Sequence, residues 1–273
     1  MNYRLIDTGY NNAFYNMAVD EALLKLSKKP TLRFYAWKPA AISLGYFQSI
    51  NDIDLEYCKK NNIPIVRRIT GGKAVFHDKE LTYSFIIDEK KVPKSIINSY
   101  KFISKSILIA MDNLGINAKL KEENIKKFKT AICLNNPSWY EIIVNNKKIA
   151  AAAQTRKNKK LLQHGPILID VNYKKLCSLF KSNNKKLLEE TKKRITSLNK
   201  LNKKINYKAR ENRRFSVSRK SPISVKLKKE LKKGFEENFN IKFVEDKLTE
   251  KEKKLTNKLI KEKYKTKGWN YRI

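Results

Sequence analysis

Cys133 stands in AICLNNPSWYEI, a polar segment broken by Pro137 that leads into a strand-like run. A thiol in such a loop is better placed to be reached than one inside an apolar run. Its thiolate is the form that attacks an acyl carbonyl. The other cysteines read differently: Cys177 lies in the apolar KKLCSLF, and Cys58 falls on the face of a short predicted helix. Those are the usual settings of buried structural cysteines, although an idle loop thiol fits Cys133 equally well on these grounds.

Other residues of chemical interest cluster in three segments. RRITGGKAVFHDKELTYS, residues 67–84, holds the pair Gly71 and Gly72 flanked by Arg67, Arg68 and Lys73. Without a Cβ the backbone can approach a ligand closely, and the cations suit an anionic or strongly polar group. A plain turn explains a double glycine as well, and neither a dinucleotide fingerprint nor a Walker loop is present. Lys148 opens KIAAAAQT, where Ala150 to Ala153 leave little bulk on either face and suit close packing or an acyl channel. His164, in QHGPIL before a strand, fits a site residue or a hydrogen-bonded structural histidine.

Composition narrows the chemistry. Three cysteines without a CxxC spacing and two histidines, His77 and His164, argue against a disulfide framework and against a metal centre. The 273 residues are 41% hydrophobic, enough for a substantial core, yet no run approaches the ~18 apolar residues of a membrane span. The first residues lack a secretory pattern, so the cytoplasm is the expected compartment. A net charge of +35 favours acidic partners, though the lysines are mostly scattered singly, as compositional drift would leave them.

These residues need elements to hold them. Helical spacing predicts a helix through MAVDEALLKLS capped by Asn16, and a long helix from Ser95 that stops at Gly115. TLRFYAW, AAISLGY, IPIVRR, LTYSFII, WYEIIV, KKIAAAAQT and GPILID read as strands, with Asn145 and Asn146 at a hairpin turn. DIDLEYCKKNN reads as a short helix. Beyond Asp170 lysine becomes dense, and VKLKKELKKGFEENF and TEKEKKLTNKLIKEKY read as amphipathic helices. The stretch from 181 to 221 has little apolar periodicity and reads as a loop. Strands followed by helices predict an α+β fold, with a mixed, largely antiparallel sheet flanked by helices. Residues 1–180 form the expected catalytic core, completed by a lysine-rich, mainly helical portion over 181–273.

Taken in order, these segments resemble the lipoate and octanoate branch of the biotin and lipoate protein ligase superfamily. RRITGGKAVFHDKELTYS looks like the branch's RRxTGGxAVxHDxELTYS signature, and CLNNPSWYE, KKIAAAAQTR and LLQHGPILID follow at similar spacings. ELTYS and a cysteine shortly before PSWYE resemble the cysteine-dependent octanoyltransferases in particular. The resemblance implies that Cys133 is the nucleophile and Lys148 the family's lysine. It also implies that Gly71, Gly72, Ala74 and His77 cradle the acyl group, with His164 and Gly165 beside the same pocket. Arg68, Ala150 and Ala151 complete the implied substrate-binding set. Where the family commonly has Gly-Ser, this chain has Ala151 and Ala152, and a positive φ there would strain the alanine.

The implied reaction moves octanoyl from acyl carrier protein to a lysine of a lipoyl-carrier protein through a Cys133 thioester, with no metal and no cofactor of the enzyme's own. The expected acceptors are the glycine cleavage H protein and the E2 lipoyl domains of 2-oxoacid dehydrogenases. The alternatives are an amidotransferase between carrier proteins and an ATP-dependent lipoate ligase. A basic nucleic-acid-binding protein is the alternative from another class, but no reading motif accompanies RENRRF or the lysine-rich tail.

Overall fold

The computed structural model describes residues 3–122, 140–182, 184–202 and 222–272. Cys133 and RENRRF lie outside the described residues. The first elements are β1 (Tyr3–Asn11), α1 (Ala13–Leu26), β2 (Thr31–Trp37), β3 (Ala41–Leu44), α2 (Leu55–Lys60) and β4 (Ile65–Arg67). Then come β5 (Val75–His77), β6 (Glu80–Asp88), α3 (Ile96–Asn113), β7 (Lys119–Glu122), β8 (Tyr140–Val144), β9 (Lys147–Ala150), β10 (Ala153–Lys157) and β11 (Lys160–Leu168). The remainder is mainly helical: α4 (Tyr173–Cys177), α5 (Lys185–Arg194), α6 (Leu198–Asn202), α7 (Pro222–Phe239), β12 (Phe243–Glu245), α8 (Glu250–Leu259) and α9 (Lys267–Asn270).

Among the described residues the strands form two sheets. The larger has the order β12-β1-β2-β6-β11-β9-β8-β7, with β10 on β11; the smaller is β4-β3-β5. Only β1 with β12, β1 with β2, and β3 with β4 run parallel, so the α+β, largely antiparallel expectation holds. β6 and β11 are central and buried on both faces, which is why LTYSFII is apolar without clean alternation. α3 and α7 pack on one face through Ile103, Ile107, Leu227, Leu231 and Phe235. α1 covers the other with Val19, Leu23 and Leu24.

The C-terminal portion is woven into the same body. β12 extends the large sheet beside β1, and Arg4 of β1 donates to Glu252 of α8 at 2.7 Å and to Asp246 at 2.6 Å. Tyr264 donates to Glu21 of α1 at 2.6 Å. Among the described residues no helix is long and apolar enough to cross a membrane.

Three local readings need correction. The stretch read as a loop over 181–221 holds two helices in its described part, α5 and α6, and α5 buries Leu187 and Thr191. The cap of α1 is Asn12, whose side chain accepts from the Tyr15 N–H. Asn16 is buried one turn inside, where it donates to the Ala36 carbonyl and accepts from Arg33. KKIAAAAQT is two strands, because the chain leaves β9 after Ala150 and rejoins the sheet as β10 on the opposite half of β11. Gly115 ends α3 at φ +73°, and Asn145 and Asn146 turn the β8–β9 hairpin at φ 49° and 59°, as read from the sequence.

Candidate active site

Two close backbone approaches shape the site. A Cβ on Gly165 would stand 1.8 Å from the Ala151 carbonyl oxygen, so only glycine lets the β9–β10 crossing lie on β11. A Cβ on Gly45 would meet the Gly72 oxygen at 1.7 Å, which locks the loop after β3 to the glycine pair. Gly72 itself adopts φ +91°, a conformation that suits glycine. Ala151 and Ala152 are not among the positive-φ residues, so alanine is unstrained there.

Between these approaches lies a cavity of about 360 Å³ of empty space with its open mouth counted. Its wall is apolar: Met17, Tyr35, Trp37, Val75, Pro166 and the alanines 151–153. His77, His164, Ser43, Thr82 and Arg68 form the polar edge.

The two histidines stand in parallel arrangements. His164 has Nδ1 2.7 Å from Asp20 Oδ2 and Nε2 2.8 Å from Thr70 Oγ1. His77 has Nδ1 2.6 Å from Glu80 Oε1 and Nε2 2.8 Å from Ser43 Oγ. Arg68 donates to both hydroxyl oxygens, at 3.1 Å to Thr70 and 3.2 Å to Ser43. Each hydroxyl proton is then directed to its imidazole Nε2, and each ring donates from Nδ1 to its carboxylate. Both nitrogens of both rings are therefore engaged within the protein. Trp37 stacks on His77 at 3.8 Å and donates from Nε1 to Thr82, which donates to Glu80.

Burial pushes the His164 pKa below its ordinary value against the raising pull of Asp20, and Arg68 and His77 add to the lowering. Burial works to raise the Asp20 carboxyl, but Arg33 at 2.6 Å and His164 hold it below the usual carboxylate range. Tyr35, donating to Asp20 at 2.9 Å, is pushed well above an ordinary phenol by burial first and by Asp20 second.

The arginines read as ligand cations are engaged otherwise. Arg68 donates to the carbonyls of Ser43, Gly71 and Lys73 besides the two hydroxyls. Arg67, fully buried, donates to the carbonyls of Gly45, Tyr46, Gln48, Trp269 and Asn270. Both hold loops together. Lys73 remains exposed beside the glycine pair.

Gly71 and Gly72 border the cavity edge through Arg68, while Ala74 is buried in a second core with Ile42 and Phe76. Ala150 is buried against the main core, and Ala151, His164, Gly165, His77 and Arg68 meet at the cavity. Lys148 is 3% exposed on β9 and forms an ion pair with Glu141 of β8. Asp20, Thr70 and Glu141 complete these contacts without having been singled out in the sequence, and Glu80 stood out there only as the first residue of ELTYS. The i,i+4 pair Asn16 and Asp20, placed amid small apolar residues of one helix, was the available signal.

The comparisons with known proteins agree with one another. The family described as lipoyl protein ligase A/B catalytic domain matches residues 12–213. "Octanoyltransferase LipM" of Clostridioides difficile is 40% identical over 282 residues, covering 98% of each chain. The protein of that name from Halalkalibacterium halodurans is 38% identical over 289 residues, covering 99% of each. Among solved structures, lipoate-protein ligase A bound with ATP superposes with a TM-score of 0.77 at 26% identity, covering 99% of each chain. A bipartite lipoate protein ligase with its E2 lipoyl domain from Thermoplasma acidophilum gives 0.77 at 27%, covering 99% of this chain and 96% of that one.

Proposed function

This chain belongs to the lipoyl protein ligase A/B catalytic-domain family, and from that membership we propose how it works. It is an octanoyltransferase of lipoate biosynthesis, an acyltransferase that acts on lipoyl-carrier proteins. The observation that carries this is the near-complete, two-way coverage by relatives named for that activity at 36–40% identity.

The proposed donor is octanoyl on the phosphopantetheine thioester of acyl carrier protein. The Cys133 thiolate attacks the thioester carbonyl, and the carrier thiolate leaves, so one C–S bond forms as another breaks. The acceptor lysine, as free amine, then attacks the octanoyl-Cys133 carbonyl. A C–N bond forms, the Cys133 thiolate leaves, and the nitrogen loses a proton. The first step exchanges one thioester for another and the second yields an amide, so the sequence runs without ATP, metal or a resident cofactor. Glycine cleavage H protein and E2 lipoyl domains are the proposed acceptors.

The other two cysteines support this assignment. Cys58 and Cys177 are both buried, and burial pushes the Cys58 thiol up to about 11, away from reactivity. The apolar wall suits an acyl chain, since seven methylene-sized groups at ~0.8 kcal/mol each yield on the order of 5 kcal/mol on burial. Lys148 is the proposed donor to the carbonyl oxygen as it gains negative charge.

The test is intact-protein mass spectrometry after mixing with octanoyl-acyl carrier protein. A hydroxylamine-sensitive octanoyl adduct is expected on the wild type and not on Cys133→Ser. No adduct, together with acylation that needs ATP and free acid and survives Cys133→Ala, would make the chain a ligase instead.

A further inference from the structure

We propose that Glu141 is the positioning residue that holds the Lys148 ammonium in its working place. The inference rests on the roles given to Cys133 and Lys148 above and adds the group that makes the second role possible.

The strand register places the pair. Ile142 and Val144 of β8 enter the main core, so Glu141 and Ile143 occupy the other face. Lys148 of β9 lies opposite Ile143, which makes Glu141 its diagonal neighbour on that face. The register shifts at this point, Ile142 pairing with Ala150 and leaving Ile149 as the extra residue of β9. Glu141 Oε1 and Lys148 Nζ form an ion pair, with the residues 7% and 3% exposed.

A lysine carries its charge on a flexible four-carbon stem, and a buried ammonium needs a counter-charge to stay where it is. The backbone of Lys148 is fixed separately, its carbonyl accepting from the Thr196 N–H at 2.9 Å. Strand and carboxylate thus fix the stem at both ends. Two further cations share this face, Lys121 of β7 directly opposite Glu141 and Lys119 opposite Ile143. Without the carboxylate these cations would drive the ammonium away from the strand pair.

The pairing also refines what Lys148 does. Glu141 balances its charge, so little of its field is left to stabilise a thiolate at a distance. What remains is an N–H donor held in one place, and its effect is greatest where an oxyanion develops in contact with it.

The test measures octanoyl-adduct formation at several concentrations of octanoyl-acyl carrier protein for wild type, Glu141→Gln, Lys148→Met and the double variant. Glu141→Gln is expected to lower the saturating rate by roughly tenfold or more, part of the ~10²–10³ that loss of an oxyanion donor costs. The half-saturating donor concentration should stay unchanged. The double variant should be no slower than Lys148→Met alone, because the carboxylate acts through the lysine. Glu141→Asp should recover part of the rate. A Glu141→Gln rate within twofold of wild type, or losses that multiply in the double variant, would overturn the proposal. If Glu141→Gln does not fold, Glu141→Asp decides, since it keeps the charge and shortens the reach; a wild-type rate would overturn the proposal. An undiminished rate in Lys148→Met would remove the lysine's role and this one together. A slow Lys148→Met beside a fast Glu141→Gln would remove only this one.

Discussion

Gly165 lies so close beneath Ala151 that a Cβ on it would stand 1.8 Å from the Ala151 carbonyl oxygen. The contact is backbone on one side and cannot rotate away. It fixes the point where the chain crosses from β9 to β10, and hence the wall of alanines facing His164 and Trp37.

Gly165→Ala is therefore expected to displace the crossing and to destabilise the protein by at least about 2 kcal/mol, at the upper end of ordinary overpacking. Thermal melting and acyl-adduct formation should both suffer. An unchanged Tm would mean that the crossing can shift at no cost.

Ala151→Gly, the reverse of the family departure, should behave oppositely. No positive φ needs relief at this position, so glycine brings only its chain entropy, about 0.5–1 kcal/mol of lost stability. Turnover should stay within a factor of two. A tenfold gain would show that the crossing needs glycine's freedom during the reaction.

The buried His164 predicts a pH dependence of stability. Its folded pKa lies below the unfolded value of about 6.5, so the unfolded chain takes up the proton first as pH falls. The contribution is complete above about pH 6.5 and is lost as pH drops through the depressed folded value. Asp20, whose folded pKa is also lowered, contributes above about 3.9 and loses that contribution only below it. The Tm of the wild type should thus decline between pH 7 and 5.5 more steeply than that of His164→Asn. Equal slopes would refute the assignment.

Arg67→Lys removes a planar fork that donates to five carbonyls from two distant segments, and a lysine cannot reproduce it. We expect a loss of about 2–4 kcal/mol, because buried acceptors are left unpaired. A melt lowered by less than about 2 °C would show that water replaces the guanidinium adequately.

With a net charge of +35 and the proposed acyl carrier protein as donor, the rate at low donor concentration should fall roughly tenfold or more from 50 mM to 500 mM salt. A flat profile would assign the charge to composition alone.

Elements with local signals were legible in the sequence. Asn145 and Asn146 mark their turn because asparagine tolerates positive φ, and Gly115 ends α3 for the same reason. Non-local partners were not. Asn16 looks like a cap until Arg33 and the Ala36 carbonyl claim it from β2, leaving Asn12 to cap the helix. Four consecutive alanines carry no periodicity to mark where β9 ends, and the crossing is made possible by Gly165 on β11, which a reading of the alanines alone does not reveal. Arg67 and Arg68 beside a glycine pair suggest a bound anion, yet their partners are carbonyls that no residue type encodes. His77, His164 and Ala151 were recognisable through the family pattern, as was Glu80, three residues beyond His77 in the same motif, whereas Asp20, which orients His164, comes from α1, 144 positions away.

The Arg67 clamp also bears on how the molecule is made. Its N–H is bonded to Asn270, 203 positions later, so the half of the clamp that reaches the last helix closes only after the intervening chain has been made. A ribosome-bound intermediate ending before Trp269 would hold most of the large sheet with that half of the clamp still open. Closure of the clamp is thus a late event in biogenesis, and chains truncated before Trp269 should melt earlier than the full chain.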